Sequence, residues 1–269
     1  MALPLPTSLS PTKVTTFKDC ALAFRLANID RVPEPSSVAA AKGTVVHRAL
    51  QLLFLEEDAA GRTLEAALAR LERAVPEVLG DDEHADLDLD GDALAAFVAD
   101  AETLLRHDFE LEDPRQVRVI GTELRLSVQL GSLRLTGIID RLELDDDDRL
   151  VVTDYKTGRA PSQGYEQARL AGVHFYALLC EEMLGVRPAR IQLLHLREPL
   201  TISTVPTDQS LRAWRQQTAA VWSAVERACD DEDFRPRPGR MCAYCAYHSY
   251  CPAVGGNLAL LPAKVGAPA

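Results

Sequence analysis

Two runs of alternating apolar and polar residues, Val117 to Leu130 and Leu133 to Leu144, constrain this chain most, and only Gly131-Ser132 separates them. A period of two is the pattern of a strand with two unlike faces, and a glycine-containing break between two such runs predicts a hairpin. A polar turn, Asp145 to Arg149, leads into a third strand over Leu150 to Tyr155, and Ala189 to Leu196 reads as a fourth. The flanking segments have helical spacing instead. A helix is expected over residues 11–29, capped by Ser10 or Thr12, with Val14, Phe17, Ala21 and Phe24 near one face. Val32 to Ser37 reads as a loop. Further helices are expected over Thr44 to Glu56, Thr63 to Val78, Asp92 to Leu111, Tyr165 to Leu184 and Thr207 to Cys229. Helices, strands, helix, strand, helix is the order of a mixed α/β domain. The expected organisation is one domain over 1–252. It has a helical insertion at about 57–115, a core at about 116–230, a cysteine-rich loop at 234–252 and a flexible tail at 253–269.

A chain of 269 residues, 47% of them apolar, can bury a sizeable core. It has no run of ~18 apolar residues of the kind a membrane helix needs. The N-terminus lacks the charged start and long apolar stretch of a signal peptide. The expectation is a cytoplasmic protein without a membrane partner. The net charge of -11 opposes nucleic-acid binding on its face, because phosphates require Lys and Arg. Much of that acid is local, however, in residues 81–90 and in Asp145 to Asp148, and a metal site needs carboxylates of its own. Of the 29 basic residues only five are lysines: Lys13, Lys18, Lys42, Lys156 and Lys264.

One of those lysines has suggestive neighbours. Gly137-Ile138-Ile139-Asp140-Arg141 lies on the second strand and Val152-Thr153-Asp154-Tyr155-Lys156-Thr157-Gly158 on the third. Antiparallel neighbours can bring Asp140 and Asp154 to the same end of a sheet, and Asp154 and Lys156, two apart, point to one side. Two carboxylates can hold Mg²⁺ or Mn²⁺, which favour oxygen ligands. A cation there lowers the pKa of a bound water, and a lysine can offset the developing charge. The Tyr155 backbone carbonyl is a further candidate ligand. A surface strand pair with an ordinary salt bridge has the same local pattern. His47, in Gly43-Thr44-Val45-Val46-His47, is a structural helix residue or a third ligand. Glu123 is a solvent-facing strand residue or a metal-facing carboxylate.

Together these segments resemble the RecB-like branch of the PD-(D/E)xK nucleases, which includes AddB-type subunits and CRISPR adaptation nucleases. The resemblance rests on Gly43-x-x-x-His47, Gly137-Ile138-Ile139-Asp140-Arg141 and Asp154-Tyr155-Lys156-Thr157-Gly158, and runs from about residue 8 to 252. It implies a restriction-endonuclease-like core, a mixed central sheet flanked by helices. It also implies His47, Asp140 and Asp154 as metal ligands and Lys156 as a catalytic residue. The family often carries Gln-x-x-x-Tyr on the helix after the lysine strand. Tyr176 fits the tyrosine, but Gly172 stands where the glutamine would be. Gln167 is nine positions away and so on the opposite face of a regular helix.

The remaining motif is Cys242-Ala243-Tyr244-Cys245 followed by Cys251. Three closely spaced thiols in a cytosolic protein suggest a metal or cluster, which needs a fourth ligand. Cys20, Cys180, Cys229 and His248 are all available, and a structural Zn²⁺ fits the spacing as well as a cluster does. The resemblance implies the iron–sulfur members of the family, with a 4Fe–4S cluster held by Cys20, Cys242, Cys245 and Cys251. Arg235, Arg237 and Arg240, with Tyr244, Tyr247 and Tyr250, suit single-stranded DNA or pack around such a loop. The expected activity is a metal-dependent DNA exonuclease acting on single strands or free ends in repair or recombination. A weakly catalytic iron–sulfur DNA-binding module is the alternative. The chain has no Gly-x-x-x-x-Gly-Lys-Ser/Thr loop, so any helicase would be a partner.

Overall fold

The computed structural model describes residues 2–161 and 166–261. Seven helices and five strands follow one another among the described residues: α1 Pro11–Asp19, α2 Ala21–Asn28, α3 Val38–Glu56, α4 Leu64–Leu79, α5 Gly91–Leu111, β1 Arg118–Leu130, β2 Leu133–Leu144, β3 Leu150–Lys156, α6 Glu166–Leu184, β4 Arg190–His195, β5 Leu200–Thr204 and α7 Asp208–Asp230. The sheet order is β1-β2-β3-β4-β5. β3 pairs antiparallel with β2 and parallel with β4, and β4 pairs antiparallel with β5. The expected mixed α/β sheet flanked by helices is what forms.

The contacts group into two units. The larger comprises Ser36–Leu126 and Gly137–Leu211. Its core packs α3, α4 and α5 together: Val45, Val46, Ala49, Leu50 and Leu53 of α3 are fully buried against Ala67, Leu71 and Ala74 of α4 and Ala101 and Leu105 of α5. Tyr155 of β3 and Leu194 of β4 belong to the same cluster, so the helices and the sheet share one core. By length and composition α3 is apolar enough to cross a membrane, but Ala41, Val45, Val46, Ala49, Leu50 and Leu53 on it fill this core. Ser37 caps α3, accepting from the Ala40 N–H at 3.1 Å.

Behind the sheet's apolar residues runs a buried polar row. The registers Arg141↔Thr153 and Thr153↔Gln192 align three polar residues across β2, β3 and β4. Gln192 donates to Thr153 Oγ1 at 2.8 Å. The Arg141 guanidinium, wholly buried, is held by both carboxylate oxygens of Glu112, just past α5, and by Glu143. It also lies 4.9 Å from the centre of the Phe54 ring. A buried charge is tolerable only when paired in this way.

The smaller unit comprises Met1–Pro35, Ser127–Thr136 and Arg212–Ala269. Leu9 bridges to Leu135, and Trp222 of α7 donates to Ser132 at the β1–β2 turn. Leu22, Leu26, Val32 and Tyr247 form its small apolar cluster, against which Cys20, Cys245 and Cys251 pack.

Four expectations are corrected. The helix expected over 11–29 is two helices, because Cys20 between them is extended (φ -159°, ψ 109°). A one-residue break leaves the apolar spacing on both sides intact, so periodicity does not reveal it. The helix expected from Thr44 begins at Val38, where Ser37 supplies the cap. A fifth strand, β5, joins the four expected: it is short and only Ile202 is buried, so alternation does not mark it. The tail from Ala253 is folded as far as Leu261. The Gly256 N–H donates to Cys251 O at 2.8 Å, and Leu258 and Leu261 pack on the small cluster. A Cβ at Gly256 would come within 2.6 Å of the Cys251 nitrogen, so this fold-back needs glycine. Tyr165, where α6 was expected to start, and the tail residues 262–269 lie outside the described residues.

Gly172 lies inside α6, and a Cβ there would meet nothing within 4 Å. Gly172→Ala therefore removes a glycine's entropic cost without a clash. It should raise stability by about 0.5–1 kcal/mol in urea denaturation. A lowered midpoint would contradict this.

Candidate active site

The strand registers do the first part of assembly. Arg141 opposite Thr153 and Leu142 opposite Val152 bring Asp140 and Asp154 abreast at one end of β2 and β3. The Tyr155 N–H donates to Asp140 Oδ2 at 2.8 Å. Lys156, 44% exposed, pairs with the almost fully buried Asp154. The second part comes from α3, whose Gly43 passes so close to the chain just past β3 that a Cβ would lie 3.0 Å from Thr157 Oγ1. One turn on, His47 places Nδ1 3.5 Å from Asp140 Oδ2 and 3.9 Å from Glu123 Oε1.

Glu123 reaches this point through an unusual backbone. Its φ is +49°, the left-handed region, in the middle of β1. A non-glycine residue there carries strain of order ~1 kcal/mol or more and is found where a side chain must be re-aimed. One ligand atom from each of His47, Glu123 and Asp140 lies within 4.8 Å of the others, and all three residues are half-buried. One imidazole and two carboxylates are a donor set for a divalent cation. On α6, the Tyr176 hydroxyl donates to the Asp154 carboxylate. A Cβ on Gly137 would lie 2.7 Å from Leu179 of α6 and 3.4 Å from the Tyr176 ring, so this glycine lets α6 approach β2. Asp140, Asp154, Lys156, His47, Glu123 and Tyr176 are thus all brought together. The side chain of Gln167 lies outside the described residues.

The electrostatics are those of a site with surplus negative charge. Burial, and then the charge of Asp154, push the Asp140 pKa up to about 7, against the pull of His47, the Tyr155 N–H and Lys156. Burial alone would lower the His47 pKa, but Glu123, Asp140 and Asp154 outweigh it and raise it. Burial and the surrounding carboxylates also push the Tyr176 phenol up, so it stays a donor.

In the smaller unit, Cys20, Cys242, Cys245 and Cys251 line one cavity of about 660 Å³, as does His248. None is in a disulfide. Backbone N–H groups point at three of the sulfurs: Arg237 at Cys20 (3.5 Å), Gly239 at Cys242 (3.3 Å) and Tyr247 at Cys245. Burial raises the Cys245 thiol pKa, and the three other cysteines add to the rise. The other two thiols are elsewhere. Cys180 is buried within α6, its pKa pushed up to about 12 by burial. Cys229 is buried at the end of α7 with its sulfur 3.8 Å from Pro4 O. Arg237 is tied to Lys18 O at 3.1 Å, and Arg235 is offset by Asp233 at 2.8 Å. Arg240 and the highly exposed Tyr244 lie at the cavity's rim.

Sequence reasoning missed the strain at Glu123, because alternation says nothing about the sign of φ. It also missed the partners of Arg141, although polar residues on three expected strands were a visible signal. A pH dependence follows from the charges of Asp140 and His47. Between the ordinary carboxylate pKa and about 7 the native state holds a proton on Asp140 that the unfolded chain has released, so stability falls as pH rises through that window. The raised His47 pKa acts in the same direction, from the ordinary imidazole value upward. In EDTA the melting temperature should drop by several degrees from pH 5 to 8, and saturating Mn²⁺ should flatten the slope. A flat profile in EDTA would contradict this.

Comparison with known proteins places this geometry. The PD-(D/E)XK nuclease superfamily matches residues 8–252. No curated protein matches the chain. Among solved structures, the chain is similar to one described as "Putative exonuclease" from Eubacterium rectale, at 12% identity and a TM-score of 0.53, covering 90% of this chain and 88% of that one. That likeness is one of fold. It is also similar to SSO0001 at 16% identity over 90% of this chain and 95% of that one, but the TM-score of 0.33 carries no argument. The match spans the α3 histidine, the paired aspartates of β2 and β3, and the cysteine loop alike: the chain belongs to the PD-(D/E)XK nuclease superfamily.

Proposed function

We propose that this nuclease is a metal-dependent deoxyribonuclease, an exonuclease acting on single strands or free ends in DNA repair or recombination. The observation that carries the reading is the convergence of His47, Glu123 and Asp140 beside the Asp154–Lys156 pair. His47, Asp140 and Asp154 hold Mg²⁺ or Mn²⁺, with Glu123 and the Tyr155 carbonyl available to complete the set. The cation lowers the pKa of a bound water and stabilises charge on the phosphate. Lys156, the exposed cation at the site, offsets charge that develops on the scissile phosphate. Tyr176 fixes the orientation of Asp154 through its hydrogen bond. Arg240 and Tyr244 suit a single strand, the one for phosphate and the other for base stacking; Arg235 and Arg237, each with an internal partner, contribute less. A helicase partner would supply strands to an enzyme that carries no phosphate loop of its own.

In the same reading Cys20, Cys242, Cys245 and Cys251 hold a 4Fe–4S cluster that ties the chain's two ends together. The cavity they share and the N–H groups aimed at the sulfurs support this. A single tetrahedral Zn²⁺ would need its sulfurs about 3.8 Å apart, from a Zn–S bond of ~2.3 Å. Among the described residues, the group gathered within 4.8 Å is instead His47, Glu123 and Asp140.

Asp154→Ala or Lys156→Ala should abolish Mn²⁺-dependent cleavage of end-labelled single-stranded DNA, with the fold unchanged by circular dichroism. Wild-type cleavage by both variants would refute the assignment. Anaerobically purified protein should be brown and absorb near 400 nm, and both properties should be lost in Cys20→Ser. Stoichiometric zinc in that preparation would replace the cluster with the ion.

A further inference from the structure

Tyr155 stands between Asp154 and Lys156, but its side chain goes to the other face of the sheet, where it is 3% exposed among the residues of α3, α4 and α5. Three of its atoms or groups meet something that matters to the site. Its backbone N–H holds Asp140 Oδ2 at 2.8 Å. Its ring stands edge-on to the His47 imidazole, with ring centres 5.8 Å apart and planes at 74°. Its hydroxyl accepts from Arg141 Nη1 at 2.6 Å. Arg141 in turn is fixed by Glu112, by Glu143 and by the Phe54 ring, with its charge 5.5 Å from the Tyr155 ring centre.

Phenylalanine would fill the same apolar space. A hydroxyl at a fully buried position costs free energy unless it is bonded, and it adds nothing to the packing. What it adds is a fixed point. The guanidinium is immobile because two carboxylates and an aromatic face hold it, so the tyrosine bonded to it cannot slide along β3. We propose that Tyr155 is a positioning residue. Clamped by Arg141 from behind the sheet, it sets His47 and Asp140 at the spacing a divalent cation requires. Through Glu112, the end of α5 becomes part of the support of the site. The inference rests on the metal-binding role given above to His47, Asp140 and Asp154.

The test is Tyr155→Phe, which keeps the ring and removes only the hydroxyl. Mn²⁺ affinity is measured by calorimetry and by the Mn²⁺ paramagnetic resonance signal, beside the melting temperature in EDTA. Loss of a group that orients metal ligands typically weakens binding by roughly 10- to 100-fold. That loss is expected here, with the far-ultraviolet circular dichroism spectrum unchanged. A melting temperature that falls while Mn²⁺ affinity stays at the wild-type value would make the hydroxyl merely structural and overturn the inference. Asp154→Ala runs alongside. If it binds Mn²⁺ like the wild type, the metal reading itself fails. If it loses Mn²⁺ while Tyr155→Phe does not, only the positioning role fails. Should Tyr155→Phe not fold, Glu112→Gln loosens Arg141 from the other side and carries the same measurement. A several-fold weaker Mn²⁺ affinity is expected there, and wild-type affinity would overturn the proposal.

Discussion

The buried guanidinium of Arg141 is the interaction on which the larger unit depends. It is completely removed from water, on a strand whose neighbours must pack closely. An unpaired charge in that position would cost several kcal/mol. Glu112 and Glu143 neutralise it, Thr153 and Gln192 extend the row, and the Tyr155 hydroxyl accepts a hydrogen bond from it. A third acid close by, Asp108, has neither oxygen hydrogen-bonded among the described residues. Burial and the charge of Glu112 raise its pKa well above the carboxylate range, so it stays neutral and leaves the two glutamates to balance the arginine. The polar row also fixes the register, because sliding β3 by one residue against β2 would remove Thr153 from Arg141 and turn it toward the opposite face.

On the other side of the same strands the balance is deliberately incomplete. Asp140 and Asp154 stand abreast, Glu123 is bent toward them by a left-handed backbone, and His47 and Lys156 are the cationic groups that offset them among the described residues. Asp140 consequently holds its proton up to about pH 7 when nothing else is present. Such crowding costs stability unless a cation offsets it. The fold tolerates it because the helices α3, α4 and α5 and the Arg141 row supply a rigid backing. The strain and the like charges are confined to the face where a ligand would relieve them.

The cysteine-lined cavity follows a different logic. Its wall is made of short turns, which bury little apolar surface, and the apolar cluster beside it is small. Neighbouring thiols, one of them with its pKa raised by burial, and backbone N–H groups directed at sulfur are poor stabilisers by themselves. They are well suited to thiolates bound to metal, where the negative charge has a partner and the N–H groups gain an ionic acceptor.

Several features were settled by the sequence alone. The alternation over 117–144 and the turn at 145–149 fix a hairpin and its third strand. The period of two puts Asp154 and Lys156 on one side. The chain's cysteine spacing marks a single loop. These are local consequences of covalent geometry, legible wherever side-chain direction follows from position along the strand. Whether His47 and Glu123 were ligands or ordinary surface residues was left open, since each depends on contacts between segments far apart in the chain. Tertiary structure brought both beside Asp140: Gly43 admits α3 to the strand end, and a positive φ turns Glu123 inward. It also broke the first helix at Cys20 and brought that thiol to the cavity with the three late ones. Asp140 and Asp154 were named from sequence as an acidic pair. Their separation from an ordinary surface salt bridge came only from burial, which makes two adjacent carboxylates expensive unless something cationic is meant to sit between them.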